Sequence, residues 1–291
     1  QHPLLRRGMI AVGTALLVAA CNGSGLTVAG GGIGGTGVTA VSVGPITQFG
    51  SIFVNGVEHD LTHATIVVNG TTVTGSGDGN QLAAQNLALG QVVRVEGTIN
   101  ADGVTGTATT VTFTDDVKGT ITSYTPDSQT NPTTATIVVL GQTIVVDGGT
   151  YVFDRTNHDI ALAIGNLQQG LQVEVSGLTN NNGEIHATAV EIDNGTGGDT
   201  SCDLKGTIQG LDSGTMTFYI HQQQVDYSNA QFEGLSADQL TNGMYVEVKS
   251  QTSPVNPGTV LTATEVKLES NGLGKSDAQR AEIEGFVTSV T

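Results

Sequence analysis

At 291 residues, with ten Lys and Arg against 27 Asp and Glu, the chain carries a formal charge of −17; removal of residues 1–20 with Arg6 and Arg7 would leave eight basic residues against the same acids. Nucleic-acid affinity rests on clustered cations that displace counterions, so the charge argues against DNA and RNA as partners and disfavours an anionic bilayer surface. The length supports two or three domains without disulfide or metal staples, and 41 Gly, no Trp and 4% aromatics fit turn-rich β-structure.

Arg6 and Arg7 form a positive segment, Met9 to Val18 is apolar, and Val18-Ala19-Ala20-Cys21 closes the run with small residues and a cysteine. The run is too short for a confident membrane span, which needs roughly 20 apolar residues, so residues 1–20 are read as a cleaved export signal. The closing tetrapeptide resembles the lipobox of bacterial lipoproteins, which implies a lipid on Cys21. Asn22 at the next position, where an aspartate is associated with inner-membrane retention, makes outer-membrane sorting the better expectation. Gln1 is not Met, and Met9 would leave no basic segment, so a start upstream of Gln1 is expected.

Residues 21–38 contain Gly30-Gly31-Gly32-Ile33-Gly34-Gly35-Thr36-Gly37, too little side chain to pack, and are expected to form a tether. The glycines satisfy G-x-G-x-x-G at 30/32/35 and 32/34/37, but without the strand-to-helix context that gives this pattern meaning.

Beyond the tether the sequence repeats. Gly90 to Gly97, Gly170 to Gly177 and Gly243 to Ser250 share the form Gly-x-x-Val-x-Val, their first glycines 80 and 73 residues apart. Each unit opens on a strand with an internal glycine, Val117-Lys118-Gly119-Thr120-Ile121, Leu204-Lys205-Gly206-Thr207-Ile208 and Ile283-Glu284-Gly285-Phe286-Val287. The units end on Ala108-Thr109-Thr110-Val111, Ala187-Thr188-Ala189-Val190 and Ala263-Thr264-Glu265-Val266. Markers in one fixed order define a repeat: residues 39–115, 116–194 and 203–270, with linkers 195–202 and 271–280 and the start of a fourth unit at 281–291.

Alternation of Val and Ile with polar residues predicts strands. Asn55-Gly56 and Asn69-Gly70 predict type I′ hairpin turns, and Asp102-Gly103, Asn182-Gly183 and Ser213-Gly214 join later strand pairs. A short helical pattern precedes each Gly-x-x-Val-x-Val strand, at Leu82–Leu89, Ile160–Leu167 and Ser236–Leu240. Three strands, a short helix and two strands is the order of a five-stranded OB barrel, and the glycine of each opening strand suits a bulge there. The expected fold class is all-β, in tandem small OB-like barrels.

These features resemble a family of bacterial envelope lipoproteins with tandem OB-like domains, catalogued as domain of unknown function 5666. The resemblance rests on Gly44-Pro45-Ile46-Thr47-Gln48-Phe49-Gly50-Ser51-Ile52-Phe53-Val54-Asn55-Gly56-Val57, on the repeated Gly-x-x-Val-x-Val-x-Gly strand and on the Ala-Thr-x-Val endings. Unit three departs from it at Ser250, where units one and two have glycine. The resemblance implies neither an activity nor a site.

Candidate chemistry is sparse. His59 and His63 flank Asp60 beside Glu58, but on an extended segment that spacing does not gather metal ligands, and solvated turn histidines are expected. Gly272-Leu273-Gly274-Lys275-Ser276 imitates a phosphate loop but has Glu269 where the first glycine belongs. Asp115-Asp116, Asp127 and the Asp/Asn-Gly turns offer oxygen ligands for calcium without an EF-hand or nonapeptide pattern, so turn chemistry explains them. Cys202 is placed in a polar linker as a free thiol, and no G-x-S-x-G elbow occurs. No catalytic, cofactor or metal residues are assigned. The expectation is a non-enzymatic envelope module, membrane-anchored through Cys21, with a protein or glycan partner; the alternative is a small-ligand or oligosaccharide-binding protein using the barrel face, for which the few aromatics leave little platform.

Overall fold

The computed structural model describes residues 38–180, 182–193, 200–269 and 280–285. Cys21, the signal, the tether and Gly272–Ser276 lie outside these residues. In repeat one, β1 (Val38–Gln48), β2 (Ile52–Val54) and β3 (Val57–Asp60) are followed by a β4–β5 hairpin (Thr65–Val68, Thr71–Thr72), α1 (Gly79–Asn86), β6 (Val92–Ile99) and β7 (Thr105–Phe113). The order β1-β2-β3-β7-β6, with β6 returning to β1, closes a five-stranded barrel.

Repeat two repeats the ring with β8 (Val117–Pro126), β9 (Ala135–Val139), β10 (Gln142–Val146), β13 (Gln172–Thr179) and β14 (Ile185–Asp193). The hairpin β11 (Tyr151–Asp154) and β12 (Asn157–Ala161) runs parallel beside β14, as β4–β5 does beside β7. Repeat three uses β15 (Cys202–Asp212), β16 (Thr217–Ile220), β17 (Gln223–Asp226), β18 (Gln231–Glu233), β19 (Tyr245–Ser250) and a final strand split into β20 (Leu261–Thr262) and β21 (Glu265–Leu268). The short β22 (Arg280–Ile283) pairs in parallel with β1.

The period of two sets the cores. In β9 and β10 every second residue is buried, which carries Ala135, Ile137, Val139, Ile144 and Val146 inward. Asn55-Gly56 and Asn69-Gly70 both have positive φ at each position, the type I′ geometry that their chemistry favours.

Two local expectations are corrected. Among the described residues only repeat one has an α-helix, shifted to Gly79–Asn86 because Asp78 caps it in a box with Gln81. In repeats two and three it shrinks to single 3-10 turns, Ile164–Asn166 and Ala237–Gln239, and β12 takes Ile160 and Ala161, which the periodicity gave to a helix. The opening-strand glycines serve close approach rather than the bulge. A Cβ on Gly206 would meet Ile220 Cγ2 at 2.4 Å and one on Gly44 would meet Asn55 Oδ1 at 2.2 Å, whereas the register shifts fall later, between Ile46 and Gln48 and between Gln209 and Asp212. Ser213-Gly214 joins β15 to β16 as expected, and the left-handed residue of that connection is Met216, with φ 55°.

Repeats two and three are joined through their opening strands. β8 and β15 pair antiparallel, Lys118 opposite Asp203 and Val117 opposite Leu204, while the Lys205 amide donates to the Asp116 carbonyl at 3.2 Å. Asp116-Val117-Lys118-Gly119-Thr120 and Asp203-Leu204-Lys205-Gly206-Thr207 are equivalent residues, so this pairing generates a local two-fold between the repeats. One hydrophobic cluster runs from Val117 to Val266 through both, while repeat one keeps its own.

Candidate functional site at the junction of repeats two and three

Each repeat supplies the same charged residues to the junction, and the two-fold brings them face to face. Lys118 lies 3.1 Å from Glu174 of β13, and Lys205 lies 3.8 Å from Glu247 of β19. The row continues outward on both sides. Arg155 bonds Glu174 and reaches Glu191 at 2.6 Å and Asp193 at 3.3 Å. Beyond Glu247 stand Lys249 at 3.6 Å and Lys267 at 3.7 Å, and these reach Glu265 and Glu269. Alternating charges across six strands and the Arg155 turn satisfy one another, which partly or fully buried ions require.

Three acids cluster where β8 meets β15. Asp115, fully buried, accepts a hydrogen bond from Asn69 of repeat one at 3.3 Å, and its carbonyl accepts Lys205 Nζ of repeat three at 2.5 Å. Repeats one and three therefore meet at this residue, next to Asp116 of repeat two. Burial and the neighbouring Asp203 push its carboxyl well above the usual carboxylate range, and burial raises Asp203 as well. Asp116 is raised to about 6 by burial, against the opposing pull of Lys205 and of the Gly177 amide, which donates to Oδ2 at 2.8 Å. Asp115 is thus a buried and Asp116 a half-buried joint residue, neither a hairpin acid exposed for calcium.

Beside Asp116 the junction opens into a cleft of about 620 Å³, within the range of small-ligand sites. Repeat two contributes Asp116, Asn180 and Asn182; repeat three contributes Lys205, Thr207 and Tyr245. Gln142 fastens the junction, its Nε2 donating to the Leu140 carbonyl at 2.9 Å and across to Ile220 at 3.4 Å. His221 stands at the wall with φ 48°, a conformation costly for a non-glycine residue, and burial lowers its imidazole pKa.

The remaining candidates do not converge. His59 is buried in β3, where neither ring nitrogen has a hydrogen-bond partner and burial lowers its pKa; Glu58, Asp60 and His63 face solvent. The expectation of solvated histidines fails at His59 because β3 extends to Asp60 and turns that ring inward. Cys202 is not in a linker but begins β15, buried, and burial pushes its thiol up to about 12. The turn acids hold turns: Asp102 accepts the Val104 and Thr105 amides, Asp127 that of Thr133, and Asp212 those of Gly214 and Thr215. Among the described residues no group of three or more His, Cys, Asp or Glu is placed to hold a metal ion.

The junction residues Asp116, Lys205 and Glu247 were missed by sequence reading. The signal was present, since Asp-x-Lys-Gly-Thr recurs at 116–120 and 203–207 and Val-Glu-Val at 173–175 and 246–248. Repeat one has Val41, Val43 and Arg94 at the equivalent places, and it does not join this two-fold.

A family model described as Domain of unknown function (DUF5666) matches residues 38–112, 118–191 and 205–267. Searches of curated proteins and of solved structures gave no match.

Proposed function

The chain belongs to the DUF5666 family, which it carries in three tandem copies, and from that premise we propose that it is a non-catalytic, exported envelope module, a rigid arm that presents its loops and sheet faces to a protein or glycan of the cell envelope. The observation that carries this reading is the junction itself. Two repeats share a core and a ladder of paired charges, so the Lys118–Glu174 and Lys205–Glu247 pairs and the buried Asp115 are committed to joining domains. Raised carboxyls are also common at catalytic sites, but here each faces a cation or another acid of the joint.

Anchoring belongs to the same proposal. Arg6-Arg7, the apolar run and Val18-Ala19-Ala20-Cys21 support lipidation of Cys21 after export and placement at the outer membrane. The glycine-rich residues 22–37 would then separate lipid from barrels. The test is proximity crosslinking and capture from intact envelopes of cells making the full chain, with Cys21→Ala as control. A defined envelope partner that disappears in the control supports the tethered module. Turnover of an envelope substrate by the purified protein, with saturation kinetics, would overturn it.

A further inference from the structure

Equivalent places on the two sides of the local two-fold are finished differently. Thr120 and Thr207 each follow a Lys-Gly pair and sit opposite equivalent residues, Gln172 and Tyr245. At Thr120 the long connection between β19 and β20 crosses the two-fold and delivers the buried Ser253, whose Oγ accepts the Thr120 amide at 2.8 Å. In repeat two the corresponding connection is the tight turn holding Asn180, Asn182 and Gly183, and it leaves the matching place open. Thr207 stands there, less buried than Thr120, on the wall of the 620 Å³ cleft.

We propose that this cleft is a binding site for a neutral, hydroxyl-rich ligand of the oligosaccharide class, one ligand hydroxyl taking at Thr207 the place that Ser253 Oγ takes at Thr120. The protein itself shows which group fits that place. The rest of the lining agrees: the Asn182 and Gln209 amides both donate and accept, and the Asp116 carboxylate can accept ligand hydroxyls, while Asn180 shapes the wall, its Nδ2 donating to Glu184 at 2.9 Å and its Oδ1 accepting the Asn182 amide at 2.9 Å and the Glu184 amide at 3.1 Å. The one lysine selects no anion, because its ammonium is engaged by the Asp115 carbonyl at 2.5 Å and by Glu247 at 3.8 Å. Tyr245 is the one large aromatic ring on the wall, beside the smaller His221 imidazole, so affinity is modest and rests on hydrogen bonds. The site lies between repeats, not on a barrel face, and goes beyond the interaction reading above: it stands or falls whether or not a protein partner is captured.

The test is a ligand-observed NMR titration of the full chain with neutral malto-, cello- and N-acetylated chito-oligosaccharides, alongside co-sedimentation with isolated cell-wall sacculi. Saturable binding of at least one of these glycans is expected; soluble-sugar binding identifies a diffusing ligand, and sacculus binding alone identifies a wall-bound one. Gln209→Trp, an exposed position on β15, should fill the cleft and reduce binding at least tenfold, with folding checked by circular dichroism. Asp116→Asn should weaken binding several-fold, and Val104→Trp on exposed surface of repeat one should leave it unchanged. No binding by any of these glycans, or binding that survives both cleft variants in folded protein, would overturn the proposal.

Discussion

Asp116 illustrates how one half-buried side chain makes a joint sensitive to pH. Its carboxyl titrates near 6 in the fold against 3.8 as a free residue, so the folded state holds the proton more tightly than the unfolded state. The stability this proton gives is fully present below about pH 4 and is lost as pH rises through about 6, a change on the order of 3 kcal/mol. Urea unfolding across that window should show Asp116→Asn flattening the decline and matching or exceeding wild type above pH 7, since an amide oxygen can still accept the Gly177 amide. An unchanged slope would remove Asp116 from the account. Cys202 provides a second check, because a buried thiol raised to about 12 is almost wholly protonated at neutral pH. Thiol reagents should modify native protein slowly, at the rate of opening, and react at once in denaturant; fast native labelling would contradict the burial of β15.

At the element scale, much of the fold was legible because strands and hairpins are written locally. Alternation in β9 and β10, the Asn-Gly pairs, and the Gly-x-x-Val-x-Val strands needed only neighbours in sequence. The helices were less legible. Ile160–Leu167 has helical spacing, yet a parallel pairing of β11 with β14 draws the hairpin partner β12 into the sheet, and tertiary pairing overrides a weak local preference. The candidate site was hidden for a related reason: Asp116 and Lys205 are unremarkable charges until β8 meets β15, and sequence gives no measure of which strands two repeats use to join. His59 was misplaced because its direction depends on whether β3 ends before or after it. Strain in a turn offers a prediction at this scale. Met216 is exposed and has φ 55°, where an L side chain costs about 1 kcal/mol or more. Met216→Asn in the β15–β16 connection should therefore raise stability by about 0.5–1 kcal/mol, read from chemical denaturation; a loss would mean that the Met side chain contributes more than its exposure indicates.

At the scale of the whole molecule, repeats two and three form one block, built by antiparallel pairing of equivalent strands, a shared core and an alternating charge row. Repeat one attaches differently, through the Val92 amide bonded to Ser176 Oγ at 2.8 Å and a small contact of Ala88 with Phe153 and Ala189. Its closest approach is at Gly90, where a Cβ would lie 2.1 Å from the Thr188 carbonyl. The block therefore predicts cooperativity across a repeat boundary. Glu174→Ala leaves Lys118 and Arg155 without their shared acid and should cost about 3 kcal/mol. The measurement that tests the joint most directly is native-state hydrogen exchange on wild type and Glu174→Ala. If the two repeats are one block, amides of β15 and β19 in repeat three lose protection together with those of β8 and β13 in repeat two, by the same amount. Loss confined to repeat two, with repeat three still fully protected, would contradict the account.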